Sequence, residues 1–184
     1  MILAYYYILS SLPMLRKEGP PPITSDFFLY SCSQMIPEKT VNQLSGLKLL
    51  PEKDNPFGRS SSAAKWYQWE TDMRTKLAKF RAVSLGREQK GSQQGNGFSD
   101  IDRRIEEILS VPNPAEREKM LDGLRWKALE DLEFGHNFDF DSLCIYRIKL
   151  MLLEKWVGKD QRKGLENLDA TLNRIEKPEI PVSI

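Results

Sequence analysis

Histidine is nearly missing from this 184-residue chain and cysteine is scarce, with one of the former and two of the latter. A single imidazole, His136, is all that a Ser/His/Asp or Cys/His relay could use. Cys32 and Cys144 lie far apart inside apolar patterns. They form neither a paired metal knuckle nor a disulfide framework, and they fit a reducing compartment. An excess of one charge is also lacking. Lys and Arg number 27 against 26 Asp and Glu, for a net charge of +1. Nothing global therefore points to nucleic acid or to an anionic membrane. No apolar run reaches the roughly 20 residues that a bilayer requires. The apolar start, MILAYYYILSSLPML, has no basic residue before it and no small-x-small cleavage site, and Pro13 interrupts it. It reads as the first core element of a cytoplasmic protein rather than as a signal peptide.

What remains is an ordinary globular balance of 40% hydrophobic and 29% charged residues. Strand signals are nearly absent after residue 10, while apolar spacings of three and four recur. The segment Phe138–Trp156 is the clearest case. As a helix it places Leu143, Ile145, Ile148, Leu150, Leu152 and Leu153 around most of its circumference. Arg147, Glu154 and Lys155 share one narrow polar edge. Such a helix has to be enclosed by others. The predicted fold is all-α, an irregular bundle of about seven helices around this buried one.

Punctuation places the other elements. Residues 3–15 are ambiguous, since Tyr5, Tyr6, Tyr7 and Ile8 also favour strands. Three prolines make 18–22 a linker. Ser25 is expected to cap a helix carrying Phe28, Cys32 and Met35, and Pro37 to open a short one that Gly46 stops. A long helix over 62–85 repeats Trp66, Trp69, Met73, Leu77 and Phe80, with Glu70 four residues before Arg74 and Arg81 one heptad further. Ser99 is expected to cap the next helix, with Ile101, Ile105 and Ile108. Asn113-Pro114-Ala115-Glu116 is a strong helix start, Gly135 a stop, and Asp139 a cap for the central helix. A last helix over 160–176 carries Leu165, Leu168, Leu172 and Ile175. The glycine-rich stretch 86–98 reads as a flexible linker. It divides a lobe over 1–85 from one over 99–184, unless the two form one compact domain.

Chemistry is hard to find. His136 lies in GHNFDFD, where polar residues are expected as caps. Asn137, Asp139 and Asp141 alternate as in a calcium loop, but the later glycine and glutamate of that loop are missing. The glycines of 86–97 have neither a preceding strand nor a Gly-Lys-Ser/Thr ending. Trp66 and Trp69 fall on an apolar stripe, which suits core packing better than base stacking. No catalytic residue, cofactor or metal site is assigned. Lys149 stands out because it falls among Ile145, Leu152, Leu153 and Trp156 on the wheel. It must snorkel, pair with a carboxylate or lie at an interface. The polar residues singled out as structural or interfacial are Tyr146, Lys149, Glu70, Arg74 and Arg81.

Four stretches resemble a bacterial protein family whose genes lie beside those of V/A-type ATPases: Tyr5–Leu15, Trp66–Glu70 with Arg74, Leu77 and Arg81, Asn113-Pro114 with Leu121 and Arg125-Trp126, and Tyr146–Leu150 followed by Trp156. More distantly, the pattern is similar to the C-type (or d-type) subunit of those ATPases. The resemblance implies an all-helical, non-enzymatic subunit on the cytoplasmic side that couples the central stalk to the membrane rotor in ion or proton transport. The implied partners are the stalk and the membrane ring, with no nucleic acid and no direct membrane insertion. An unrelated cytoplasmic helical adaptor, or a small enzyme, is the alternative.

Overall fold

The computed structural model describes residues 2–50, 57–58, 60–86, 100–157 and 159. Among them are seven helices and no strand: α1 (Ile2–Ser11), α2 (Ser25–Ser33), α3 (Glu38–Ser45), α4 (Ser62–Ser84), α5 (Asp100–Ser110), α6 (Pro114–Glu133) and α7 (Phe140–Glu154). The fold is all-α. The predicted linker over 86–98 and the helix over 160–176 fall almost wholly outside the described residues.

The centre is α7. Leu143, Cys144, Ile145, Ile148 and Leu150 are all fully buried, and α1, α2, α3, α4 and α6 pack around the helix. The main core joins them to Ile8 of α1, Phe28 and Cys32 of α2, Leu44 of α3, Trp66 of α4 and Leu129 of α6. A second cluster, Met73, Leu77, Ile105, Ile108 and Leu121, fills the space between α4, α5 and α6. Residues 1–154 form one compact unit, with helices from both sides of 86–98 packed on one another.

Several ends follow the sequence rules, and some shift. Asn113 Oδ1 accepts from Ala115 N at 3.0 Å with Pro114 opening α6, and Asp139 Oδ1 accepts from Ser142 N at 2.8 Å. Gly135 carries the positive φ of 88° that the turn between α6 and α7 requires. The cap of α2 is Thr24 rather than Ser25: its Oγ1 accepts from Phe27 N at 3.2 Å. Ser25 is the first helical residue, and a distant carboxylate holds it. Pro37 sits at the cap position of α3, one residue earlier than expected. Met35 is half exposed and off the buried stripe. Residues 2–11 settle as a helix, because Ile8 reaches the core at helical spacing with Ala4, Tyr5 and Leu12 beside it.

Arg147 lies on the polar edge of the central helix. It is not on a solvent edge but 7% exposed. The wheel ranks residues by polarity and cannot see that α2 and α4 close over that edge.

Candidate functional site

The polar residues of interest meet inside the bundle. Glu70 of α4 is fully buried, and Arg125 of α6 holds it with two parallel bonds, Nε to Oε2 and Nη2 to Oε1, both 3.0 Å. Arg74 Nε adds a third at 2.9 Å. Arg125 also donates through Nη1 to Asp122 at 2.7 Å and to Glu118 at 3.1 Å. Burial disfavours the Arg125 cation, but the bonds and charges of Glu70 and Asp122 outweigh it and hold the pKa above the ordinary arginine value. The result is a charged clasp between α4 and α6.

A second pair lies at the C-terminal end of α6. Lys149 Nζ donates to Glu133 Oε2 at 2.5 Å and sits 5.4 Å from the centre of the Trp126 ring. Lys149 is 7% exposed, so the internal pair accounts for a lysine on an apolar face. Tyr146 Oη donates to the carbonyl of Pro13 at 2.8 Å, and its ring stacks on Phe28 at 5.4 Å. Burial raises that phenol to about 12, so it remains a donor at neutral pH. Of the five residues singled out from sequence, Glu70, Arg74, Lys149 and Tyr146 are thus engaged inside the unit. Arg81 is exposed on α4, outside the clasp.

Both ends of α7 hold another helix. Asp141 Oδ1 accepts from Ser62 N at 2.6 Å, at the start of α4. Glu154 takes both the N–H and the hydroxyl of Ser25, at 2.6 and 2.5 Å, at the start of α2. Each carboxylate occupies a helix N-terminus, where free N–H groups and the helix dipole favour negative charge. Arg147 is different. Among the described residues its Nε and Nη1 have no hydrogen-bond partner, and burial lowers its pKa against the opposing pull of Glu154 and Asp26.

His136, Asp139 and Asp141 bring one donor atom each within 4.8 Å of one another. Each carboxylate already has work in the fold. Asp139 Oδ2 pairs with His136 Nδ1 at 2.6 Å while its Oδ1 caps α7, and Asp141 caps α4. Burial would raise Asp139, but the bonds from His136 and Ser142 prevail and hold it below the usual carboxylate value. Ser142 Oγ donates to Asp139 rather than to the imidazole, so the trio lacks the serine–histidine bond that nucleophile activation needs. Both cysteines are buried and their thiols raised by desolvation, Cys32 to about 11. Thiolate chemistry is disfavoured at both.

The surface offers a shallow groove of about 780 Å³ between residues 14–17, α5 and α6, with Met14, Lys17, Arg104, Met120 and Lys127 along it. Both cations and carboxylates line it. A second feature is aromatic. Tyr6 and Tyr7 of α1 are half exposed, and Phe138 lies 4.8 Å from Tyr6 between ring centres. No helix among the described residues is long and apolar enough to cross a membrane.

Arg125, Glu133, Asp141 and Glu154 were missed as paired groups by sequence reasoning. Of these pairings, only those with Asp122 and Glu118 lie within a turn or two in sequence.

These features define the class of molecule: an all-α unit with internal ion pairs and an exposed aromatic face. Compared with known families, residues 96–179 are similar to a family described as a protein of unknown function, DUF2764. That match covers less than half of the chain. No curated protein and no solved structure matches.

Proposed function

We propose that the chain is a non-enzymatic peripheral subunit of a V/A-type ATPase, on its cytoplasmic side, coupling central stalk to membrane rotor in the manner of the C-type subunit. The carrying observation is that the four stretches bearing the resemblance converge. Tyr146 of the fourth bonds Pro13 of the first, Arg125 of the third clasps Glu70 of the second, and Lys149 lies on Trp126. Their shared residues serve one close-packed body, and rigidity is what a mechanical coupler requires. The coupling is passive. Torque passes through a body whose helices are tied at both ends of α7, and ion or proton transport belongs to the partners.

The exposed aromatic residues of α1 support a binding role for either an ATPase component or a helical adaptor. Affinity purification of the tagged chain separates the two. Stalk and ring proteins should co-purify in fixed ratio. An intact ATPase recovered without the chain, and a tagged chain recovered without ATPase components, would refute the assignment. His136→Ala should leave that association unchanged.

A further inference from the structure

The fold uses only half of the ligating capacity of His136, Asp139 and Asp141. Each carboxylate commits one oxygen to a helix start: Asp139 Oδ1 to Ser142 N at 2.8 Å and Asp141 Oδ1 to Ser62 N at 2.6 Å. The other two oxygens turn to a single atom. His136 Nδ1 lies 2.6 Å from Asp139 Oδ2 and 3.9 Å from Asp141 Oδ2. Asp141 Oδ2 accepts no hydrogen bond among the described residues. Among those residues His136 is also the one basic side chain within 4 Å of either carboxylate. Two carboxylates thus face one imidazole, and a cation between the three completes the charge balance.

The geometry suits a small ion. Ligands of zinc stand about 2.0–2.2 Å from it, which sets neighbouring ligand atoms about 3.0–3.4 Å apart. The three donor atoms already lie within 4.8 Å of one another. Shifts of about 1 Å or less in each side chain seat the ion. The supports are in place. Ser142 N and Oγ hold Asp139, and Ser62 N holds Asp141, as outer hydrogen bonds do for metal ligands. All three side chains are partly exposed, so an ion can enter and water can fill its remaining positions. The donor set selects the ion. One imidazole nitrogen with two carboxylate oxygens suits zinc and its neighbours in the first transition row. Calcium takes about six to eight oxygens, and the trio offers too few.

We propose that His136 Nδ1, Asp139 Oδ2 and Asp141 Oδ2 bind one divalent transition-metal ion, of which zinc is the type, at the turn between α6 and α7. The ion takes the place of the hydrogen between Nδ1 and Oδ2, and the imidazole keeps one proton on Nε2. It ties the turn to the starts of α4 and α7, and it does not depend on the ATPase reading. The test uses the purified full chain without a histidine tag, stripped of metal and titrated with zinc chloride. His136 is the only histidine, so the ring nitrogen-15 signals report on this site alone. Zinc should move the Nδ1 signal, saturate at one equivalent and raise the melting temperature. Asp139→Asn keeps an oxygen to cap α7 and replaces the ligating one, so calorimetry should show zinc binding at least tenfold weaker with a cooperative melt retained. Asp141→Asn should weaken it equally. Asp100→Asn, exposed at the start of α5, should not. Calcium in the same excess should leave the Nδ1 signal in place. A wild-type Nδ1 signal unmoved by tenfold excess zinc overturns the inference. Zinc affinity that both Asp139→Asn and Asp141→Asn retain overturns it too, since the ion then lies elsewhere. A calcium response equal to that of zinc refutes the choice of a transition ion. None of these results bears on co-purification with ATPase components, so the two readings fail separately.

Discussion

Two arginines of nearly equal burial stand in opposite situations. Arg125, 5% exposed, satisfies three carboxylates, whereas Arg147, 7% exposed, leaves Nε and Nη1 without partners among the described residues. Removing one member of a bonded buried pair strands the other, while replacing a buried cation that is only partly hydrogen-bonded by an apolar group of similar size removes much of a desolvation cost. Arg125→Met is therefore expected to cost about 3–5 kcal/mol, at the lower end because Arg74 still reaches Glu70. Arg147→Met should stay within about 1 kcal/mol of the wild type. Urea unfolding measures both, and an equal loss at the two sites would contradict the contrast. Lys149 poses the same question with unequal partners. Its side chain is 9% exposed and that of Glu133 is 45% exposed. After Lys149→Met the carboxylate can return to water, and the methionine lies against Trp126. After Glu133→Ala the ammonium stays buried with a ring but no anion. The glutamate substitution should be the more destabilising by about 1–2 kcal/mol, and the reverse order would show that Glu133 does not neutralise Lys149.

At the scale of elements, α7 is both the core helix and the tie between its neighbours. Asp141 and Glu154 lie near its two ends, about 20 Å apart at 1.5 Å per residue. The two carboxylates hold α4 and α2 independently, so Asp141→Asn and Glu154→Gln should each cost about 1–2 kcal/mol and add in the double variant. A double loss clearly smaller than the sum would mean that the two ends unfold together. The helices themselves were largely legible in the sequence. Spacings of three and four placed α4 and α6, and the all-round apolar pattern placed α7 at the centre. Glu70 with Arg74 was legible because an i, i+4 pair is a local fact. Glu70 with Arg125 was not, because the two are 55 positions apart and nothing local sets which faces of α4 and α6 meet. The burial of Arg147 was not legible for the same reason: polarity on a wheel says where a residue points, not whether another helix covers it. The aromatic run at 5–7 was ambiguous because tyrosine suits strand and helix surfaces alike, and only the burial of Ile8 at helical spacing from the partly buried Ala4, Tyr5 and Leu12 decides it.

At the scale of the molecule, the span similar to the DUF2764 family does not coincide with a folding unit. It starts between α4 and α5 and contains α5, α6 and α7. Yet α7 buries its surface against α1, α2, α3 and α4 as well as α6, and the α4–α6 clasp crosses the same line. Cut there, residues 100–154 would expose Ile145, Ile148 and Leu150 to water, and each of these is fully buried in the whole chain. Exposing such a side chain costs roughly 1.5–3 kcal/mol, so a few of them outweigh the stability of a typical domain. Arg125 would also lose its bidentate partner. A fragment beginning at residue 99 is therefore expected to be aggregated or molten when produced alone, with helical far-ultraviolet circular dichroism but no sharp thermal transition. The fragment 1–98 should fare no better, because Phe28, Leu44 and Trp66 pack into the core that α7 fills. Co-expressed, the two should associate and recover one cooperative melt, since the break lies between elements that contacts elsewhere hold together. A cooperative transition for either fragment by itself would restore the two-lobe division, and would show that the contacts across it add stability to structures already formed.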